Sequence, residues 1–218
     1  MTKTSITLLS ISLFLLGCNG PSSTDSIREG DLLFQDLDCG GLCEAIETVT
    51  EGVDGKNFSH CAMVVSIKDE LKVVEAIGNK VQLNSLENFF KRSGDTSEVK
   101  NITVGRMKKE FQDLIQGASN FALKQVGAPY DEPFLLNNGK WYCSELLYEG
   151  YKAANGGKEV FQLFPMTFKD PKTDDFFPAW VEYYEELGQD IPEGALGLNP
   201  GSISRSDKIE VLEIDFHK

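Results

Sequence analysis

The chain has 218 residues, and its 21 Lys and Arg against 34 Asp and Glu give a formal net charge of −13. That balance argues against nucleic acid as a partner and against electrostatic docking on anionic lipid, both of which need basic surface. The acids are spread along the chain instead of forming one block, which is the pattern of a solvated acidic surface.

The first residues read as an address. Lys3 gives a short positive start, and Ile6 to Leu16 is apolar apart from Thr7, Ser10 and Ser12. Such a run is too short to span a bilayer and matches the apolar region of a signal peptide. It ends in Leu15-Leu16-Gly17-Cys18, which resembles the bacterial lipobox. The resemblance implies cleavage before Cys18, a diacylglyceryl group on its sulfur and an acyl chain on its amine. Several such chains hold a protein stably on a membrane. An ordinary secretory signal is the alternative. Residues 19–26, rich in Ser, Gly and Pro, read as a flexible tether. The expected division is therefore a signal over 1–17, a lipidated Cys and tether over 18–27, and one domain over 28–218. Loss of 1–17 removes one Lys and no acid, so the charge becomes −14. The expected location is a bacterial cell envelope, with the protein exported and lipid-anchored.

Gly30 to Gln35 reads as a short strand after a turn. Cys39 and Cys43 follow in a C-x3-C spacing within a Gly-rich turn, and Cys43 to Thr50 predicts a brief helix. An exported location permits a Cys39–Cys43 disulfide. A zinc site made with His60 is the sharper alternative, but it lacks a second ligand pair. Free thiols remain a third state. Phe58 to Ile67 and Leu71 to Ile77 are β-rich, with Lys68-Asp69-Glu70 between them as a hairpin turn. Leu83 to Glu87 looks like a strand end followed by a helix start, capped by Asn84 or Ser85. Val99 to Val104 is another strand. The clearest helix runs from about Lys109 to Val126, with Phe111, Leu114, Ile115, Ala118 and Ala122 on one stripe, and Gly127 and Pro129 end it. A second helix begins near Cys143 and stops before Gly156-Gly157. A third covers Pro178 to Leu187, with Gly188 as its stop. Lys208 to Phe216 alternates and predicts a closing strand. The sum is an α+β domain, a mostly antiparallel sheet with packed helices.

Only two histidines occur, and His217 is next to last, where termini are usually loose. A Cys–His couple would therefore use His60, more than eighty positions before Cys143. Cys143 at a helix start sits where unpaired N–H groups and the helix dipole favour a thiolate and can donate to an oxyanion. Trp141-Tyr142 before it would exclude water and shape a pocket. Taken singly, each residue has a bland reading: a buried Cys filling core space, a structural His at a strand start. Glu75 is an acid inside an otherwise apolar strand, where a carboxylate needs a partner, and an acid behind a His fixes its tautomer. The register speaks against that pairing. A two-residue Asp69-Glu70 turn sets Glu75 opposite Val64, roughly 13 Å along the strand from His60 at about 3.3 Å per residue. Asp31 and Asp131 are the reserve acids. Cys61, next to His60 on a strand, should point away from it and serve packing.

Five segments in one order, Gly30 to Gln35, Phe58-Ser59-His60, Val74-Glu75-Ala76, Ala128-Pro129-Tyr130-Asp131 and Tyr142 to Leu146, resemble the permuted papain-like amidases of the YiiX/YaeF type, within the NlpC superfamily of cell-wall cysteine peptidases. In ordinary papain-like enzymes the Cys precedes the His; in the permuted group, as here, the His comes first. The resemblance implies a circularly permuted papain-like fold, with Cys143 as nucleophile, His60 as general base and Glu75 as orienting acid. It also implies acyl transfer through a thioester, with no metal or organic cofactor. The oxyanion would be held by the Cys143 N–H and a second donor, with Gln35 and Tyr142 as candidates.

Three readings of function follow. The first is a membrane-anchored thiol hydrolase cleaving an amide in a small peptide or cell-wall fragment. The second is an esterase or acyltransferase on a lipid acyl substrate. The third is a tethered binding module without catalysis. A deep apolar channel beside Cys143 points to lipid, and a polar cleft with a carboxylate points to a peptide. The sequence leaves the oligomeric state open.

Overall fold

The computed structural model describes residues 26–93, 102–212 and 214. The segment expected to be a signal, Cys18 and His217 lie outside them.

Six antiparallel strands form one sheet in the order β4-β3-β2-β1-β5-β8. They are β1 (Leu32–Gln35), β2 (His60–Ile67), β3 (Glu70–Ile77), β4 (Lys80–Ser85), β5 (Ile102–Met107) and β8 (Ile209–Leu212). A two-residue pair, β6 (Phe164–Pro165) and β7 (Leu196–Gly197), stands apart. Both faces of the central strands are buried, because apolar side chains alternate without a polar row. Leu32, Phe34, Cys61, Met63, Val65, Val74 and Ala76 join one core, and Leu33, Ala62, Val64 and Val73 join another. The first core is covered by α3 (Ile115–Lys124) and α4 (Cys143–Ala154), whose Ala118, Ala122, Leu146, Leu147 and Tyr151 are buried. The second is covered by Phe89 of α2 (Leu86–Lys91), a helix capped by Ser85, whose Oγ accepts from the Asn88 N–H at 3.1 Å.

A third apolar cluster joins α1 (Gly41–Val49) to α5 (Pro178–Leu187) through Ala45, Met166, Phe168, Trp180 and Tyr184. Pro178 opens α5 and Gly188 closes it at φ 64, the left-handed conformation that glycine adopts without strain. Short α6 (Pro200–Ser204) presses on the end of α1, where a Cβ on Gly201 would stand 2.0 Å from the Thr50 carbonyl oxygen. Only a glycine permits that approach, which brings residues 198–200 beside α1.

The α+β expectation holds, with adjustments at its edges. The helix expected over 109–126 divides into a 3₁₀ segment, Lys109–Leu114, and then α3. The Phe111 N–H donates to the Lys108 carbonyl at 2.8 Å, the tighter three-residue bond common at helix starts. The strand expected over 99–104 is described as β5, with residues 94–101 outside the described set, and the closing strand is β8. Among the described residues no helix is long and apolar enough to cross a membrane.

Candidate active site

Cys143 is the first residue of α4 and is 7% exposed. Tyr142 precedes it in an extended conformation and supplies no side-chain cap. The backbone N–H groups of this first turn therefore lack both an intrahelical acceptor and a capping oxygen. They form a donor set beside the sulfur.

His60 is the first residue of β2, at the end of the sheet, and its register with Glu75 differs from the expectation. Ile67 pairs with Glu70 and Met63 with Val74, so the two-residue turn is Lys68-Asp69, both at positive φ (51° and 64°). That geometry suits a tight hairpin whose twist matches the strands. The turn falls one residue earlier than Asp69-Glu70, which slides β3 by two residues and leaves Glu75 on the same face but diagonal to His60. Side chains at such diagonals meet when they are long. His60 Nε2 and Glu75 Oε2 are 2.7 Å apart. Nδ1 is the ring nitrogen left for Cys143, to which His60 is also hydrogen-bonded.

Glu75 is fully buried and its carboxylate is matched by several partners. Asn84 Nδ2 donates to Oε1 at 2.8 Å, and an Arg92 terminal nitrogen lies 2.6 Å from each oxygen. A buried carboxylate is tolerable only when paired and hydrogen-bonded in this way. Asn84 follows from its place on β4 beside β3, but nothing in the sequence marks Arg92, which follows the end of α2 and lies over the Phe89 ring at 5.2 Å.

The charges reinforce one another. Burial opposes an imidazolium at His60, but the hydrogen bonds and charges of Cys143 and Glu75 outweigh it and raise His60 to about 9. Burial likewise opposes charge on Glu75, yet His60, Arg92 and Asn84 hold it below the usual carboxylate range. The Cys143 thiol is lowered well below its ordinary value by a hydrogen bond from Cys61 and, against burial, by His60. Cys61 was expected to point away from His60 and serve packing. It does lie in the core on the α4 face, but its thiol meets Cys143, and burial together with that neighbour keeps it protonated. A protonated thiol donates to a thiolate, so Cys61 belongs to the surroundings of the Cys143 sulfur.

The other candidates lie elsewhere. Asp31 is held by Arg106 (2.7 and 2.8 Å) and by the Arg28 N–H. Asp131 accepts from the Leu135 N–H at 2.6 Å and from Asn138. Neither is bonded to His60. Gln35 Nε2 is occupied by the Phe89 carbonyl at 3.0 Å and by Ser93 Oγ, which removes it as an oxyanion donor. Tyr142 fits better. Its hydroxyl is buried beside the Leu198 backbone, without a hydrogen bond of regular geometry among the described residues. Trp141 packs edge-on against Phe121 and is not among the cleft-lining residues. Cys39 and Cys43 are joined in a disulfide, which rules out their use as free zinc ligands.

Cys143 opens on a cleft of about 230 Å³ that Tyr130, Phe134, Tyr142, Phe164, Met166 and Trp180 help to wall. Much of that wall comes from α1 and from the chain after α4, which carry none of the five motif segments.

A family model described as permuted papain-like amidase enzyme, YaeF/YiiX, C92 family, matches residues 26–213. The uncharacterized protein YiiX of Escherichia coli strain K12 is 24% identical over 180 residues, covering 81% of each chain. A crystal structure of YiiX from Escherichia coli O157:H7, described as a metalloprotein, superposes with a TM-score of 0.70 at 22% identity. It covers 87% of this chain and 98% of that one.

Proposed function

The chain belongs to the permuted papain-like amidase enzymes of the YaeF/YiiX type, and from that premise we propose that it cleaves an amide through an acyl-thioester on Cys143, with His60 and Glu75 as its partners. Membership makes it an enzyme, a papain-like cysteine hydrolase of the peptidase or amidase kind. The residue roles, the substrate and the membrane tether are the proposal. The observation that carries it is the continuous chain Glu75–His60–Cys143 ending at a helix N-terminus.

The Cys143 thiolate adds to the carbonyl carbon, and the carbonyl π electrons move onto oxygen. The oxyanion is met by the Cys143 N–H, with the Tyr142 hydroxyl as second donor. Collapse breaks the C–N bond, and His60 gives its Nδ1 proton to the leaving nitrogen, so an amine departs and a thioester remains. Neutral His60 then takes a proton from water as the oxygen adds to the thioester. Collapse of that intermediate releases the acid and restores the thiolate–imidazolium pair. Glu75 stays ionised throughout and holds the ring through Nε2.

The Escherichia coli O157:H7 neighbour is described as a metalloprotein. Among the described residues of this chain no three His, Cys, Asp or Glu side chains gather to hold an ion, so the mechanism includes no metal step. The tether rests on the lipobox-like Leu15 to Cys18, which would anchor the enzyme in a cell envelope through lipid on Cys18. Membrane association in the producing cell, lost on Cys18→Ser, tests that part.

For the chemistry, Cys143 should react with a small electrophile well below about pH 8. Cys143→Ala should abolish turnover while melting within a few degrees of the parent. Parental turnover in that variant would sink the mechanism.

A further inference from the structure

Apart from the Cys143 sulfur itself, the cleft beside it is lined without a charged side chain. Its wall includes Ile46 and Val49 from α1, Phe134, Met166, Phe168 and Trp180. Of the polar groups on the wall, the Tyr142 hydroxyl and the Trp180 Nε1–H are neutral and have no partner of regular geometry among the described residues, whereas several others bond within the protein. Thr50 Oγ1 donates to the Ile46 carbonyl (2.6 Å), Ser144 Oγ to the Leu198 carbonyl (2.9 Å) and Thr167 Oγ1 to Glu193 (2.9 Å). Ser59 Oγ accepts from the Leu37 N–H at 2.8 Å, and Asn199 Oδ1 from the Ser202 N–H at 2.7 Å. A carboxylate entering this space would lose its water and find no counter-charge, and an ammonium would find none away from the sulfur. A hydrocarbon would lose nothing and release water from apolar surface.

Size and position narrow the occupant. The volume is about 230 Å³, against roughly 150 Å³ for an apolar cavity that holds benzene. At about 30 Å³ per water-sized unit, it takes roughly seven or eight carbon atoms. The acyl group stays bonded to Sγ through both half-reactions, whereas the leaving amine must depart and admit water. The dry space opening on Sγ therefore suits the acyl group.

We propose that this cleft is an acyl-chain site, which makes the substrate an amide or ester of an unbranched, uncharged acyl group of medium length, in place of a charged aminoacyl unit. The assignment rests on the Cys143 hydrolase reading for its direction, but the cleft can be tested without turnover.

The test compares rates of Cys143 alkylation by N-alkyl iodoacetamides with methyl, butyl, octyl and hexadecyl chains. Octyl analogues ending in carboxylate or ammonium are run beside them. The rate constant at low reagent is expected to climb by about threefold per added methylene up to roughly eight carbons, then level or fall at hexadecyl. The charged-end reagents should stay near the methyl value. A flat series, or preference for a charged end, overturns the acyl-chain site. Ile46→Glu, at a half-buried wall position, should erase the octyl advantage, read as the octyl-to-methyl ratio of rates within that variant. An intact octyl advantage in a normally melting variant places the chain elsewhere and also overturns it. Acyl-enzyme formation from octanoyl p-nitroanilide is read separately by mass. Chain-length-dependent alkylation without acyl-enzyme keeps the apolar site and sinks the hydrolase reading. Acyl-enzyme with no chain-length dependence does the reverse.

Discussion

On one side of the Cys143 sulfur lies a fully buried carboxylate bound by an arginine, an asparagine and an imidazole within 2.6–2.8 Å. On the other lies a cleft whose lining, the sulfur apart, carries no charge. The first region puts its polar contacts into fixing the orientation and charge of one ring. The second is walled mostly by apolar side chains, with a few neutral polar groups among them. Orientation and recognition are thus assigned to opposite sides of one atom, and each can be altered without rebuilding the other.

If that separation holds, changes on the polar side lower kcat and changes on the cleft side raise KM. The largest effect is expected for His60→Ala, which should cut kcat by about a thousandfold or more and return Cys143 labelling to the range of an ordinary thiol. Glu75→Gln keeps the shape but loses the charge; a kcat loss of about 10- to 100-fold, smaller than for His60→Ala and with little change in KM, is expected. Activity equal to the parent would mean that another group orients the ring.

pH offers a gentler probe. Amide cleavage needs the thiolate and the imidazolium together, and His60 is raised to about 9. The rate should therefore hold through neutrality and fall as pH rises through about 9. Alkylation of Cys143 needs the thiolate alone and should not fall there. Because the folded value lies above the ordinary one, the stability contributed by the charged ring is complete below about 6.5 and lost as pH climbs towards 9. A common alkaline limb for both reactions would contradict the ion-pair assignment. The smallest effect belongs to Cys61→Ala. Removing that donor should move the labelling curve of Cys143 to higher pH by about one unit or less while leaving the chain-length preference intact. A changed preference would show that the two sides are coupled.

Much of the polar side was legible in the sequence, because it is made by short-range rules. A Cys after an extended aromatic residue starts a helix, a His heads a strand, and an acid interrupts an apolar strand. The Glu75 contact was implied by the family resemblance, while the strand register argued against it, because a one-residue error in placing the turn becomes a two-residue error in register. Arg92 was hidden for a different reason, since its meeting with Glu75 depends on how α2 folds over the sheet. Cys61 packs in the core as expected, but its contact with Cys143 was missed, because alternation gives the face of a side chain and not what the facing helix places there. The cleft was least legible. Ile46, Phe168 and Trp180 come from separate segments, and only their packing shows that they enclose a common space.

The Lys68-Asp69 turn has a bearing on how such a chain can vary. Exposed hairpin tips are normally where insertions and deletions are absorbed without harm. Here the tip acts as a ruler. One residue more or less carries every side chain of β3 to the opposite face. With the turn kept at two residues, two fewer restore the face but draw Glu75 away from His60 by the length of a residue pair. Substitution at the tip is cheap wherever positive φ is accommodated, while length is fixed. Among working relatives the loop between these strands should drift in composition and not in length.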